Sequence, residues 1–285
     1  MNVGIIGAGA WGSALGAIIA CGGNDVCLWS FDGLYSDFGK TYDNLRVSSD
    51  MASVADTDAW ILVTPASFFR ETLKKAKPYY KNQPIIICTK GAEVESGAFM
   101  SEIVADVLPD AKNVGVLSGP QFAAEVANGV PTGSTIAGNS VIHDCAKIIF
   151  NKLYLSESDD IIGTQLCGVG KNAVALIAGY NSIAAGGENE RAMIFTRAWG
   201  EVIKIGLAMG AKIETFSDLC GVGDLFLSAT SATSRNFSGG ISIARGENLT
   251  GTVEGIYALS ALIKRAEQNG VATPVLCELR DKMKI

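Results

Sequence analysis

Lys171 and Asn172 stand side by side in a stretch of small and apolar residues, GVGKNAVALIAG. A lysine in such company either snorkels its ammonium to the surface or faces a polar cleft. Near a second cation and partly desolvated, it has its pKa pushed down and can act as a general acid–base. Lys90 is the candidate for that second cation. Asp224 lies in Gly221-Val222-Gly223-Asp224. The two glycines allow an unusual turn that aims the carboxylate into a cleft, or Asp224 caps a helix opened by Leu225-Phe226-Leu227. Residues 231–236, SATSRN, are rich in hydroxyls and hold one arginine. Arg235 can grip a phosphate bidentately, with Ser234 and Asn236 adding hydrogen bonds, or the stretch is a surface loop. His143, the one histidine, sits on an expected surface helix far from these residues. A lysine is therefore the natural proton carrier here.

Such side chains need a frame. An apolar run over residues 2–6 predicts a buried parallel strand. It runs into Gly7, Gly9 and Gly12 at the spacing G-x-G-x-x-G, and an apolar helix over 13–20 follows. Gly7 permits the tight turn, Gly9 lets a pyrophosphate approach the backbone, and Gly12 lets helix and strand pack closely. The helix N-terminus then offers free N–H groups and a positive dipole end to phosphates. Further strand signals fall at 25–29, 58–63, 84–88, 113–117, 132–137 and 152–156, with helices at 68–76, 99–107, 122–128 and 141–150. The alternation predicts a parallel, doubly wound α/β sheet of the Rossmann type. Ligands of such sheets bind outside the carboxyl ends of the strands, where Thr89-Lys90-Gly91 and Ser118-Gly119-Pro120 fall. Beyond about residue 161 the strand signals vanish. Helices are expected at 165–185 (broken by glycines), 190–209, 255–270 and 274–283. The organisation read from this is a dinucleotide-binding domain over 1–160 and an all-α substrate domain over 161–285, with the substrate in a cleft between them.

Composition narrows the classes. The 285 residues are 48% hydrophobic and 18% charged, as expected of a core-forming globular chain. A net charge of −6 argues against nucleic acid or an anionic membrane as the main partner. The seven cysteines are scattered without a CxxC or Cys/His cluster, so neither a zinc site nor a disulfide framework is expected. That pattern suits buried free thiols in a reducing, cytoplasmic setting. The strand signal begins within two residues of Met1, leaving no signal peptide in view. No apolar run is expected to reach the roughly 18 residues of a membrane span.

Taken together these blocks resemble the soluble bacterial NAD(P)-dependent glycerol-3-phosphate dehydrogenase family along nearly the whole chain. GAGAWGSALG is similar to the family fingerprint, with Trp11 as its tryptophan and Ala10 beside it. TKGAE, LSGPQFAAEVANGVPT, GVGKNAVALIAG, TFSDLCGVGDL, SATSATSRN and TVEG follow in the family's order. The resemblance implies interconversion of dihydroxyacetone phosphate and sn-glycerol 3-phosphate with NAD(P)H, the product feeding phospholipid synthesis. It implies that Lys171 carries the proton, that Lys90 polarises the substrate oxygen and lies near Lys171, and that Asp224 and Asn172 orient the lysine and a substrate hydroxyl. Gly119, Gln121, Ser234, Arg235 and Asn236 would hold the substrate. Gly7, Gly9, Ala10, Trp11, Gly12, Phe31, Asp32, Lys90, Ala123, Arg235 and Glu254 would hold the cofactor. A homodimer is implied, and no metal.

Three departures stand out. Phe31 occupies the place of the arginine that grips the NADP 2′-phosphate. Asp32 beside it suits a ribose 2′-hydroxyl and repels a 2′-phosphate, so NADH is the expected cofactor. Segments near 32–50 and 245–252 are shortened. Gln121 replaces the usual serine or threonine. The competing readings are another lysine-dependent dehydrogenase, of the β-hydroxyacid dehydrogenase or ketopantoate reductase type, and a non-catalytic NAD-binding sensor. The Ser-Arg-Asn block disfavours the first, and the presence of both Lys171 and Asp224 disfavours the second.

Overall fold

The computed structural model describes residues 1–249 and 251–285; Thr250, in the shortened 245–252 segment, lies outside them. The chain divides into two compact units, Met1–Lys90 with Phe99–Ile161, and Gly91–Ala98 with Ile162–Ile285. The short strap Gly91–Ala98 thus groups with the second unit while the residues on either side of it group with the first.

The first unit is built on an eight-stranded sheet. Its strands are β1 (Asn2–Ile6), β2 (Asp25–Trp29), β3 (Leu45–Ser48), β4 (Ala59–Leu62), β5 (Ile85–Ile87), β6 (Val114–Ser118), β7 (Gly133–Ala137) and β8 (Tyr154–Ser158). They lie in the order β3-β2-β1-β4-β5-β6-β7-β8. Helices α1 (Ala10–Cys21), α2 (Ala66–Ala76), α3 (Met100–Val107), α4 (Ala123–Ala127) and α5 (Ser140–Ile149) connect them. The central strands are covered on both faces, which is why NVGII, AWIL and III read as continuous apolar runs. Val3, Ile5, Leu15, Ile19, Leu28, Ile61 and Ile86 form the middle of the core.

Two features depart from the sequence reading. β3 is an additional strand. It is a four-residue edge strand whose Arg46 is exposed, so it lacks the apolar run that marks its neighbours. And β7 runs antiparallel to β6, while β8 is parallel to β7. The cause is the connection from β6. Its only helix, α4, has five residues and advances about 7.5 Å, half the length of a five-residue strand. A helix of that length does not by itself return the chain along the sheet, and β7 re-enters from the end at which β6 left.

The second unit is helical beyond the strap: α6 (Ile161–Ala184), α7 (Glu188–Ala208), α8 (Asp224–Thr230), α9 (Arg235–Arg245), α10 (Glu254–Gln268) and α11 (Pro274–Met283). The expected glycine breaks in α6 do not occur; it is one 24-residue helix. Its glycines are points of close approach instead. A Cβ on Gly179 would lie 1.9 Å from the Phe237 carbonyl oxygen of α9, and one on Gly240 would lie 2.1 Å from that of Leu176. Backbone-to-backbone packing at these positions outweighs glycine's low helix propensity. The expectation about membrane spans is corrected here too. By length and composition α6 is apolar enough to cross a membrane, but 78% of its most apolar window is buried inside the protein, as in a core helix.

α11 is held from the side. Glu201 of α7 is buried, and its two carboxylate oxygens accept from the Val275 and Leu276 N–H groups, both at 2.9 Å. The acid therefore satisfies two of the unpaired donors at the start of α11 and sits at its positive dipole end. Glu201→Ala removes both charge-assisted bonds and is expected to destabilise the second unit by about 2–4 kcal/mol in denaturant unfolding of the full chain. Glu201→Gln, which keeps one acceptor oxygen, is expected to lose less. A change under about 0.5 kcal/mol for the alanine variant would contradict this account of how α11 is anchored.

Candidate active site

In the helical unit, α6 carries Lys171 among buried small residues. Its Nζ lies 3.2 Å from Asp224 Oδ1 and donates to Ser228 Oγ at 2.9 Å. Ser228 Oγ in turn lies 3.4 Å from Asp224 Oδ1. The Asp224 side chain is 1% exposed and that of Lys171 13%. Removing either charge from water alone would cost several kcal/mol, so each requires the other. What access the pair retains is through the lysine.

The local chain explains how the carboxylate gets there. Residues Leu219–Gly223 form a wide turn with non-helical dihedrals at Gly221 (φ −90°, ψ −105°). A Cβ on Gly221 would fall 2.3 Å from the Phe216 carbonyl oxygen, so a side chain there would push the turn outward. Gly223 takes the cap position of α8 and Asp224 its first turn, so Asp224 is not the cap, and its carboxylate is buried against Lys171. Ser228 opens the SATSATSRN block but carries no assigned role in the sequence. It is four residues after Asp224, on the same helix face, and that Asp-x-x-x-Ser spacing was the available signal.

Asn172 belongs to a second network. Its Nδ2 donates to Glu254 Oε2 at 3.2 Å and its Oδ1 accepts from Asn236 Nδ2 at 2.8 Å. Asn236 Oδ1 accepts from the Gly255 N–H at 2.8 Å. Three helices, α6, α9 and α10, are thereby pinned at one point beside Lys171, and the amides of Asn172 and Asn236 are both engaged inside the protein. Ser234 caps α9, its hydroxyl accepting from the Phe237 N–H. Arg235, the next residue, is exposed and makes no ion pair among the described residues. The SATSRN stretch is therefore a capped helix start that presents one guanidinium outward.

In the nucleotide unit the glycine turn has the expected geometry. Gly7 has φ +119°, a region that disfavours side chains, and a Cβ on Gly12 would fall 1.9 Å from the Gly7 carbonyl oxygen. Around the Cβ position of Gly9, by contrast, nothing lies within 4 Å. The start of α1 has no side-chain cap and no acid in its first turn. Its donors and the open space over Gly9 fit a dinucleotide pyrophosphate. Ala10 opens α1, and Trp11 packs partly buried against the core. After β2, Asp32 Oδ1 accepts from Ser30 Oγ at 2.7 Å and from the Leu34 N–H at 3.0 Å. These bonds, that from Ser30 foremost, hold its carboxyl below the ordinary carboxylate value. Phe31 is 80% exposed, and the Lys75 ammonium lies 5.7 Å from its ring centre.

Lys90 follows β5, and its Nζ donates to the Gly119 carbonyl at 2.9 Å. Gly119 is required by packing, since a Cβ there would meet the Gly133 carbonyl oxygen at 2.6 Å. Gln121 Nε2 is buried without a hydrogen-bond partner, as are the hydroxyls of Ser118 and Ser134. Ala123 is the first residue of α4. His143 is committed elsewhere on the sheet, its Nε2 2.9 Å from the Ser158 carbonyl oxygen and its Nδ1 3.4 Å from Glu157. All seven cysteines are free thiols. Burial pushes the Cys145 thiol up to about 11 and the Cys88 thiol higher still. Among the described residues no cluster of His, Cys, Asp and Glu could hold a metal ion.

Comparison with known proteins identifies the family. The family profile for the NAD-dependent glycerol-3-phosphate dehydrogenase N-terminus matches residues 2–143, and that for the C-terminus matches residues 160–282. Glycerol-3-phosphate dehydrogenase [NAD(P)+] of Parvibaculum lavamentivorans is 34% identical over 301 residues, spanning 96% of this chain and 89% of that protein. The solved glycerol-3-phosphate dehydrogenase of Coxiella burnetii superposes with a TM-score of 0.90 at 28% identity, over 99% of this chain and 94% of that one. A ketopantoate reductase from Ralstonia eutropha shares the fold at a TM-score of 0.66 and 19% identity, over 100% of this chain and 97% of that one. The chain belongs to the NAD-dependent glycerol-3-phosphate dehydrogenase family.

Proposed function

We propose that the protein interconverts dihydroxyacetone phosphate and sn-glycerol 3-phosphate, with NADH as its preferred reductant, and supplies glycerol 3-phosphate to phospholipid synthesis. The observation that carries this reading is the buried Lys171–Asp224 pair with Ser228, in a chain whose α1 offers an uncapped, glycine-opened N-terminus. The dinucleotide, held over Gly7, Gly9, Ala10, Trp11 and Gly12, supplies the hydride when bound. As the ketone oxygen becomes an alkoxide it needs a proton and positive charge. Lys171 gives that proton and takes it back in the reverse direction. Asp224 and Ser228 hold the ammonium in place. Lys90 polarises the oxygen. Arg235 grips a phosphate at the exposed start of α9. The family resemblance assigns Glu254 and Ala123 to the cofactor and Gln121, whose amide nitrogen is buried without a partner, to the substrate. The same reading takes the protein to be a cytoplasmic homodimer acting on a small phosphorylated substrate.

The NADH preference rests on Asp32 and Phe31. Asp32 is fixed by its own turn with a carboxylate charge that suits a ribose hydroxyl and opposes a 2′-phosphate. Following dihydronicotinamide absorbance with dihydroxyacetone phosphate tests both parts of the proposal. Turnover is expected, with kcat/KM higher for NADH than for NADPH. A clear NADPH preference contradicts the cofactor assignment. No turnover here, together with turnover on a 2-keto or 3-hydroxy acid, overturns the substrate assignment. Ser228→Ala removes one hydrogen bond to the proton donor, worth about 1 kcal/mol. It is expected to lower kcat about fivefold with NADH affinity unchanged. An unaltered kcat would take Ser228 out of the site.

A further inference from the structure

The strap Gly91–Ala98 follows Lys90 by a single peptide bond and groups with the helical unit. It is a tight loop with its own bonds, the Glu93 N–H to the Ala98 carbonyl at 2.9 Å and the Gly97 N–H to the Glu93 carbonyl at 2.7 Å. Two cations of α10 close on it. Lys264 Nζ donates to the Glu95 carbonyl at 2.6 Å, and Arg265 Nε donates to the Gly97 carbonyl at 2.8 Å. Gly97 has φ +75°, and a Cβ there would touch Lys264 Cδ at 3.4 Å. Loop and side chains are thus fitted to one another, although 168 residues separate Arg265 from Gly97.

The other end of the same helix is fixed by the network described above. Glu254 accepts from Asn172, and the Gly255 N–H donates to Asn236. α10 is therefore registered at its start against the neighbour of Lys171. About 15 Å further on it is registered against the loop that continues from Lys90. We propose that Lys264 and Arg265 are positioning residues for Lys90, and that α10, through these two side chains, fixes the strap that continues from the Lys90 backbone. An ångström of misplacement of a group that meets the reacting oxygen costs on the order of a hundredfold in rate, so two charge-assisted bonds on the strap suffice to matter. The inference rests on the reading of Lys90 as the residue that polarises the substrate oxygen.

The test is a double-mutant cycle on the full-length protein, with kcat/KM for dihydroxyacetone phosphate as readout and NADH affinity by protein fluorescence alongside. Arg265→Ala is expected to lower kcat/KM about tenfold with NADH affinity unchanged, and Lys264→Ala to do the same to a lesser extent. Lys90→Ala is expected to lose more. If Arg265 acts through Lys90, the double variant Lys90→Ala, Arg265→Ala loses no more than Lys90→Ala alone. A role confined to stability would give losses that multiply, and that outcome overturns the proposal. So does an Arg265→Ala variant of unchanged kcat/KM in the face of a strong Lys90→Ala effect. If Lys90→Ala itself has no effect, the reading of Lys90 falls, and the positioning role with it. Lys264→Ala repeats the cycle should Arg265→Ala fail to fold.

Discussion

The ion pair between Lys171 and Asp224 is the constraint to which the helical unit is built. A carboxylate 1% exposed cannot stay charged without a partner, and an ammonium this enclosed needs the same. Each demands a particular delivery. Lys171 comes from a helix so closely packed that its Gly179 meets the backbone of α9 and its Gly170 the side chain of Val202. Asp224 comes from a turn that only a glycine at 221 allows, because the Phe216 carbonyl occupies the space of a side chain. Ser228 completes the arrangement from one helical turn further on. The neighbouring amides of Asn172 and Asn236 hold three helices at the same point, so the lysine has little freedom to move away.

The nucleotide unit applies the opposite principle. Where the helical unit fills space and pairs charge, the start of α1 leaves space and donors open. The Cβ position of Gly9 faces nothing, while those of Gly7 and Gly12 face backbone. One glycine spacing thus serves two purposes, close packing at its ends and an opening in its middle. The carboxylate of Asp32 is ordered by its own hydrogen bonds to Ser30 and Leu34.

Much of this was legible in the residues, and the exceptions have physical causes. The glycine turn, the buried strands and the last helix could be read because each is determined by local spacing or by a continuous apolar run. Edge strand β3 was not legible, because an edge needs no apolar run. The reversal of β7 was not, because direction depends on how far a five-residue helix can carry the chain. Helix propensity counts the glycines of α6 as breaks, whereas at Gly179 the backbone of α9 supplies the contact. In the site, Lys171, Asp224 and Asn236 stood out by type and neighbourhood. Ser228 did not, since a serine in an apolar helix carries no charge to attract notice. Lys264 and Arg265 fall within the helix expected at 255–270, and only the fold reveals the distant loop they hold.

The central claim is that the buried carboxylate exists to hold a proton-carrying lysine in place. Asp224→Asn tests it most directly, because it keeps the shape and removes the charge. With folding verified by an unfolding curve, kcat for dihydroxyacetone phosphate reduction and the affinity for NADH are measured on the same preparation. The account predicts a loss in kcat of about a hundredfold or more with NADH affinity unchanged. A kcat within about twofold of the parent, less than half a kcal/mol of barrier, would contradict it.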